Sequence, residues 1–272
     1  SGESQPFEVT LLRDVIKVAS VRQRWLEPGY GYIRIAQFQS ATGKDVTGAL
    51  EKLMNKQKLK GLVLDLRNNP GGVLRASVDV AGLFMDGGKV VYTEGRLPNS
   101  DMEFNAQPED ATAGIPIVVL INSGSASASE IVAGALQDHG RAVIMGTRSF
   151  GKGSVQTVLP ISDSRAVKLT TALYFTPNGR SIQAEGIEPD IEVERAKVTA
   201  YDNSRRVTEA DLTGHLNNAN GEDQSKSKKP ASRLLSRDNQ LYEALTLLKG
   251  INILGLRDNK TANIEQDARG ES

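Results

Sequence analysis

Apolar side chains recur along this chain with two periods, and the switching between them predicts its elements. Residues 7–16 partly alternate apolar and polar, as a half-buried strand does. After the turn at Pro28-Gly29, residues 30–38 are rich in aromatic and β-branched side chains and predict another strand. Residues 45–58 carry apolar side chains at 46, 49, 50, 53 and 54, the spacing of one helical face. A buried strand is predicted over 59–66, ending in the breakers Asn68-Asn69-Pro70-Gly71-Gly72, and a helix over 73–85 that stops at Gly87-Gly88. The order then returns. It runs through a short strand over 89–93, a long polar loop over 95–114, an almost wholly apolar strand over 115–121, a helix over 130–136 and a strand over 142–145. Residues 155–159 and 166–175 read as a hairpin across 160–165. Strands that are apolar throughout must be covered on both faces, so the pattern predicts an α/β (mixed α+β) core with parallel pairs.

From residue 198 the composition changes. The pattern divides the chain into an end strand over 1–16, a core over 17–197, a polar linker over 198–231, a helix over 232–255 and a polar tail over 256–272. Leu241, Ala244, Leu245 and Leu248 give that helix an apolar stripe, which must bury against something. A second copy of the chain and the chain's own core are the two candidates, and self-association is the expectation carried forward.

Composition narrows the function. The 272 residues include 33 basic and 33 acidic side chains, so no net charge favours binding of nucleic acid by phosphate neutralisation. With no cysteine there is no disulfide framework, thiol nucleophile or iron–sulfur site. The two histidines, His139 and His215, leave little material for a metal site, and no cofactor is expected. His139 ends a predicted helix, where it satisfies helix carbonyls; His215 falls in the polar linker and is read as solvated. No apolar run reaches the roughly 18 residues of a membrane span.

Three breaker segments follow apolar strands, the usual place for an active site in such a fold. At Asn69-Pro70-Gly71-Gly72 the glycines let backbone N–H groups approach a ligand, or they make a plain turn. Gly124-Ser125-Ala126-Ser127-Ala128-Ser129-Glu130 sets serine hydroxyls at a helix N-terminus, where negative charge is favoured; Ser127 and Glu130 also spell a capping box. Gly146 to Ser154 nearly matches a phosphate-binding loop. However, Gly153 replaces the required hydroxyl and a strand follows instead of a helix. Lys152, Ser154 and Gln156 would share one face of that strand, making Lys152 a candidate general base. A free lysine, near 10.4, is charged at neutral pH; burial lowers such an amine toward 7–8. No carboxylate lies between Arg148 and Leu159 to oppose this.

Together these segments resemble the carboxyl-terminal processing proteases, the tail-specific serine peptidases with a Ser/Lys dyad. The resemblance covers residues 7–195. It rests on Tyr30-Gly31-Tyr32-Ile33-Arg34-Ile35, Leu64-Asp65-Leu66-Arg67-Asn68-Asn69-Pro70-Gly71-Gly72, the serine run, Phe150-Gly151-Lys152-Gly153-Ser154-Val155-Gln156 and Thr176-Pro177-Asn178-Gly179-Arg180. It implies a crotonase/ClpP-like protease core with a β-rich flanking part, Ser127 as nucleophile and Lys152 as general base. It also implies Gln156 as the residue orienting that lysine, and Gly71 and Ala128 as the oxyanion hole. By spacing alone Ser125 and Ser129 remain alternatives to Ser127. It further implies protein or peptide substrates recognised near their C-termini, a periplasmic or envelope location, homo-oligomers and a lipoprotein adaptor. The family's PDZ domain is read as largely absent, only its end strand remaining over 1–16. The competing readings are a crotonase-type acyl-CoA hydratase or hydrolase, which lacks an evident carboxylate pair here, an ATP- or GTP-binding protein, and a non-catalytic scaffold.

Overall fold

The computed structural model describes residues 19–95, 101–163, 165–198, 212–216, 234 and 237–270, with side chains as far as residue 255. Its elements are β1 (Val21–Glu27), β2 (Tyr30–Ile35), α1 (Thr42–Met54), β3 (Gly61–Asp65), α2 (Leu74–Gly82), β4 (Gly88–Gly95), β5 (Met102–Ala106), β6 (Ile117–Ile121), α3 (Ala128–Asp138), β7 (Val143–Gly146), β8 (Ser154–Ser162), β9 (Arg165–Phe175), β10 (Ile191–Glu192) and α4 (Asn239–Gly270).

The larger sheet has the order β1-β2-β3-β6-β7-β10. β1 is antiparallel to β2, and every following neighbour pair is parallel. β3 and β6, the most apolar strands, lie at its centre and are buried at every position. Successive side chains point to opposite faces. Leu62, Leu64, Ile117, Val119 and Ile121 therefore pack with α1, α2 and α3, while Val63, Val118 and Leu120 face Leu241, Ala244 and Leu248 of α4. Both faces are covered, which is why these strands show no polar alternation. A second, antiparallel sheet has the order β5-β4-β9-β8.

Three features of the chain's periphery depart from what the pattern predicts. The segment 95–114 is not all loop: β5 pairs with β4, and its alternation (Met102, Phe104, Ala106) is hidden among polar neighbours. The leucine stripe packs inward, on the chain's own core. Leu241, Ala244 and Leu248 are 1%, 0% and 0% exposed, packed on Val63, Val118 and Leu120 of the chain's own sheet. Each such leucine contributes about 1.5–3 kcal/mol of burial. α4 also continues to Gly270, through the segment the composition marks as tail. The end strand of residues 7–16 and most of the linker lie outside the described residues. Among the described residues no helix is long and apolar enough to cross a membrane.

Candidate functional site

Three loops leave the sheet side by side at the carboxyl ends of neighbouring parallel strands. β3 pairs with β6, Asp65 opposite Leu120, and β6 pairs with β7, Ile121 opposite Gly146. The turn after β3, the serine run after β6 and the lysine loop after β7 therefore meet, as the crevice of an open parallel sheet requires. Gly146 permits this closeness: its φ is +124°, and a Cβ there would lie 2.2 Å from the Ile121 carbonyl oxygen.

The serine run divides by hydrogen bonding. Ser125 and Ser129 are fully buried. Ser125 Oγ donates to the Leu66 carbonyl at 2.8 Å and accepts from Asn122 N at 3.0 Å. Ser129 Oγ donates to the Asn69 carbonyl at 3.0 Å. Ser127 is only half-buried, and its backbone holds φ +55°, ψ −112°. A non-glycine residue in that region is strained by about 1–3 kcal/mol and persists only where its surroundings enforce it. Such a sharp strand-to-helix turn presents a side chain at its apex. Here it is enforced by Ala126 N donating to Asn69 O (2.9 Å), Phe150 N to Ser125 O (3.0 Å) and Ile131 N to Ser127 O (3.0 Å). The Glu130 carboxylate also accepts from Ser127 N at 2.6 Å, and Glu130 N donates to the Ser127 carbonyl at 2.8 Å.

Gly71 lies against this apex. Its φ is +97°, and an added Cβ would stand 2.8 Å from Ser127 Cβ and 3.0 Å from Ala128 N. Gly71 N–H donates to Asn69 Oδ1 at 2.9 Å. Ala128 opens α3, where first-turn N–H groups have no acceptor within the helix. The turn is anchored from behind. Asn69 Nδ2 donates to the Ile35 carbonyl at 2.9 Å, and Asn68 and Asn122 bond each other across the two loops at 2.9 and 3.1 Å. Arg67 binds the buried Asp65 at 2.7 Å and Asp238, at the start of α4, at 2.8 Å. Burial, with Asp65 alongside, pushes the Tyr32 hydroxyl up to about 12.

Lys152 and Gln156 depart from the geometry the sequence predicts. β8 begins at Ser154, so Lys152 is in the loop and shares no strand face with Ser154 and Gln156. The register shifts between Val155 and Gln156. Gln156 is exposed, and among the described residues its amide makes no hydrogen bond to Lys152. Lys152 is half-buried, and its ammonium makes no ion pair or hydrogen bond among the described residues. The neighbourhood is not free of carboxylate: Glu130, distant in sequence, reaches the lysine loop, its Oε2 accepting from Lys152 N at 2.9 Å. His139 ends α3, but its ring reaches across to the Lys89 carbonyl at 2.7 Å instead of the helix carbonyls. His215 is exposed. Among the described residues no group of three or more His, Asp or Glu could hold a metal ion.

Sequence reading missed Asn69 and the reach of Glu130. Asn69 is fully buried and joins the glycine turn, β2 and the serine run. An amide directly before Pro-Gly-Gly was the only signal for it. Glu130 was legible as a cap, but not as a ligand of the loop after β7.

Residues 29–193 match the family described as Peptidase family S41. A carboxy-terminal-processing protease of Bartonella bacilliformis is 48% identical over 259 residues, covering 92% of this chain and 58% of that protein. The carboxy-terminal processing protease CtpA of Bacillus subtilis is 36% identical over 188 residues, covering 69% of this chain and 40% of that protein. A photosystem II D1 C-terminal processing protease superposes with a TM-score of 0.59 at 37% identity, covering 66% of this chain and 49% of that one. The chain thus spans about half the length of the curated relatives it matches.

Proposed function

The chain belongs to peptidase family S41, a family of carboxyl-terminal processing proteases, and from that membership we propose that it is a serine endopeptidase working through Ser127 and Lys152. One observation carries the reading: the strained, half-buried Ser127 stands at a strand-to-helix apex with Gly71 in contact, while Ser125 and Ser129 have their hydroxyls occupied.

In this reading Lys152 Nζ takes the Ser127 proton as Oγ attacks the substrate carbonyl. The same amine then returns the proton to the leaving nitrogen, and water releases the acyl group. The N–H groups of Gly71 and Ala128 receive the oxyanion. Gly71 N–H must first leave Asn69 Oδ1. That exchange is favourable because it replaces a neutral acceptor by a charged one, and charge-assisted hydrogen bonds are about twice as strong. Gln156 holds the lysine amine by a neutral hydrogen bond, which requires the first residues of β8 to move toward the loop when substrate arrives.

The proposal extends to protein or peptide substrates recognised near their C-termini and to a bacterial periplasm or cell envelope. It also includes a lipoprotein adaptor, and assembly into a homo-oligomer through a surface other than the leucine stripe. The test is direct. Ser127→Ala and Lys152→Ala are each expected to reduce cleavage of an unfolded protein by at least about 1,000-fold with unchanged circular dichroism. Replacing His139 and His215 together by Gln is expected to leave the pH profile in place. A loss in that double variant as large as in Lys152→Ala would mean a histidine base.

A further inference from the structure

We infer that Glu130 is a positioning residue of this site: one buried carboxylate that fixes the main chain of the nucleophile and the main chain of the base in a single register. The inference rests on the Ser127/Lys152 reading above.

Glu130 is fully buried. Its Oε2 accepts from Ser127 N at 2.6 Å and from Lys152 N at 2.9 Å, so one oxygen receives the N–H of both residues of the dyad. Its Oε1 accepts from Ser149 Oγ at 2.6 Å and from Gly151 N at 2.6 Å. Ser149 Oγ accepts in turn from Ile187 N at 2.7 Å, which extends the link to the segment after β9. Capping of α3 explains only the bond to Ser127 N. The remaining three run to a loop 19 to 22 residues further along the chain.

The chemistry suits a rigid joint. A buried carboxylate is costly unless its lone pairs are satisfied, and these donors satisfy both oxygens. Hydrogen bonds to an ionised acceptor are short and strong, and two oxygens on one planar carbon hold their donors at fixed separation. Few other links tie the serine turn to the lysine loop, notably Phe150 N to Ser125 O at 3.0 Å. The loop is rich in glycine, with Gly151 at φ +89°, and its other main-chain bonds run to residues 174–187 instead of to the serine turn, Ala184 N donating to Gly151 O at 2.9 Å and Gly153 N to Gln183 Oε1 at 3.1 Å. Without the carboxylate, Lys152 loses its register on Ser127. A displacement near 1 Å costs on the order of 100-fold in rate.

Glu130→Gln keeps the volume but turns a donor toward backbone donors. In the full chain, assayed on a fluorogenic peptide well below its melting temperature, the expected result is a fall in kcat of about 100-fold with KM within about twofold. Labelling of Ser127 by a fluorophosphonate should slow in parallel. A folded Glu130→Gln chain with kcat within twofold of the parent, or with KM raised and kcat kept, overturns the inference. If Glu130→Gln does not fold, Ser149→Ala decides. It removes one donor to Oε1 and should lower kcat about tenfold at constant KM; an unchanged kcat overturns the inference. Activity surviving in Ser127→Ala or Lys152→Ala, or an inert but folded parent chain, fails the dyad reading and removes the role with it.

Discussion

Gly71 is where the backbone and the chemistry constrain one another most tightly. A side chain there meets the Ala126 carbonyl at 2.7 Å and Ser127 Cβ at 2.8 Å, on a backbone at φ +97°. Gly71→Ala is therefore expected to cost about 1–3 kcal/mol in urea denaturation and to suppress peptide hydrolysis beyond what that loss explains. Full activity in this variant would remove Gly71 from the oxyanion hole. Ser129→Ala is the contrasting case. It deletes a buried hydroxyl bonded to the Asn69 carbonyl. The expected cost is about 0.5–1.5 kcal/mol of stability, since that carbonyl keeps its bond from Ala126 N. Hydrolysis should persist, which a progress curve at low temperature would check.

Among the elements, α4 has the clearest division of labour. Leucines cover the outer face of the central strands, and its first turn is locked to the site by charge. Arg67 donates to Asp65, Asp238 and Gln240. Removing one partner of a buried ion pair strands the other, so Arg67→Met should destabilise by about 3–5 kcal/mol. Leu248→Ala should cost about 2–5 kcal/mol, the lost burial together with the cavity left behind. The two differ in their effect on the site. Arg67 is two residues from Asn69, so its loss should also lower hydrolysis, whereas Leu248→Ala should release α4 to protease with a smaller effect on kcat. Limited proteolysis alongside peptide assays separates these outcomes.

For the whole molecule, the carboxylates decide the response to acid. Burial acts to raise Asp238, but the Arg67 hydrogen bond and charge, with help from Leu241 N and Arg195, hold it below the ordinary range. Burial likewise opposes the lowering of Asp110, which its bonds from Thr112 and the Arg141 charge bring about. A carboxyl with a depressed folded pKa contributes stability that is fully present above its unfolded value, about 3.9, and lost as pH falls through the folded value. Thermal melts should therefore change little from these two groups between pH 7 and pH 5, then fall below about pH 4. Asp110→Asn should flatten part of that fall. A melting temperature that rises on acidification would contradict the assignment.

Local pattern by itself determined much of this protein. Strand and helix periods depend on which neighbours meet water, and residues 59–66, 115–121 and 241–248 carry that record in their own spacing. The adjacent βα breaks at Asn69-Pro70-Gly71-Gly72 and Ser125–Glu130 were legible for the same reason, and motif order pointed to the family. What spacing does not encode is contact between distant segments. Only the tertiary structure decided that the leucine stripe covers the chain's own sheet, that β5 pairs with β4, and that the Ser125 and Ser129 hydroxyls are engaged while Ser127 stands at the apex. It alone brought Glu130 to Lys152 and left Gln156 exposed beyond a bulge. Each of these outcomes depends on hydrogen bonds and burial between groups far apart in the chain, which are set when the parallel strands bring their carboxyl ends together.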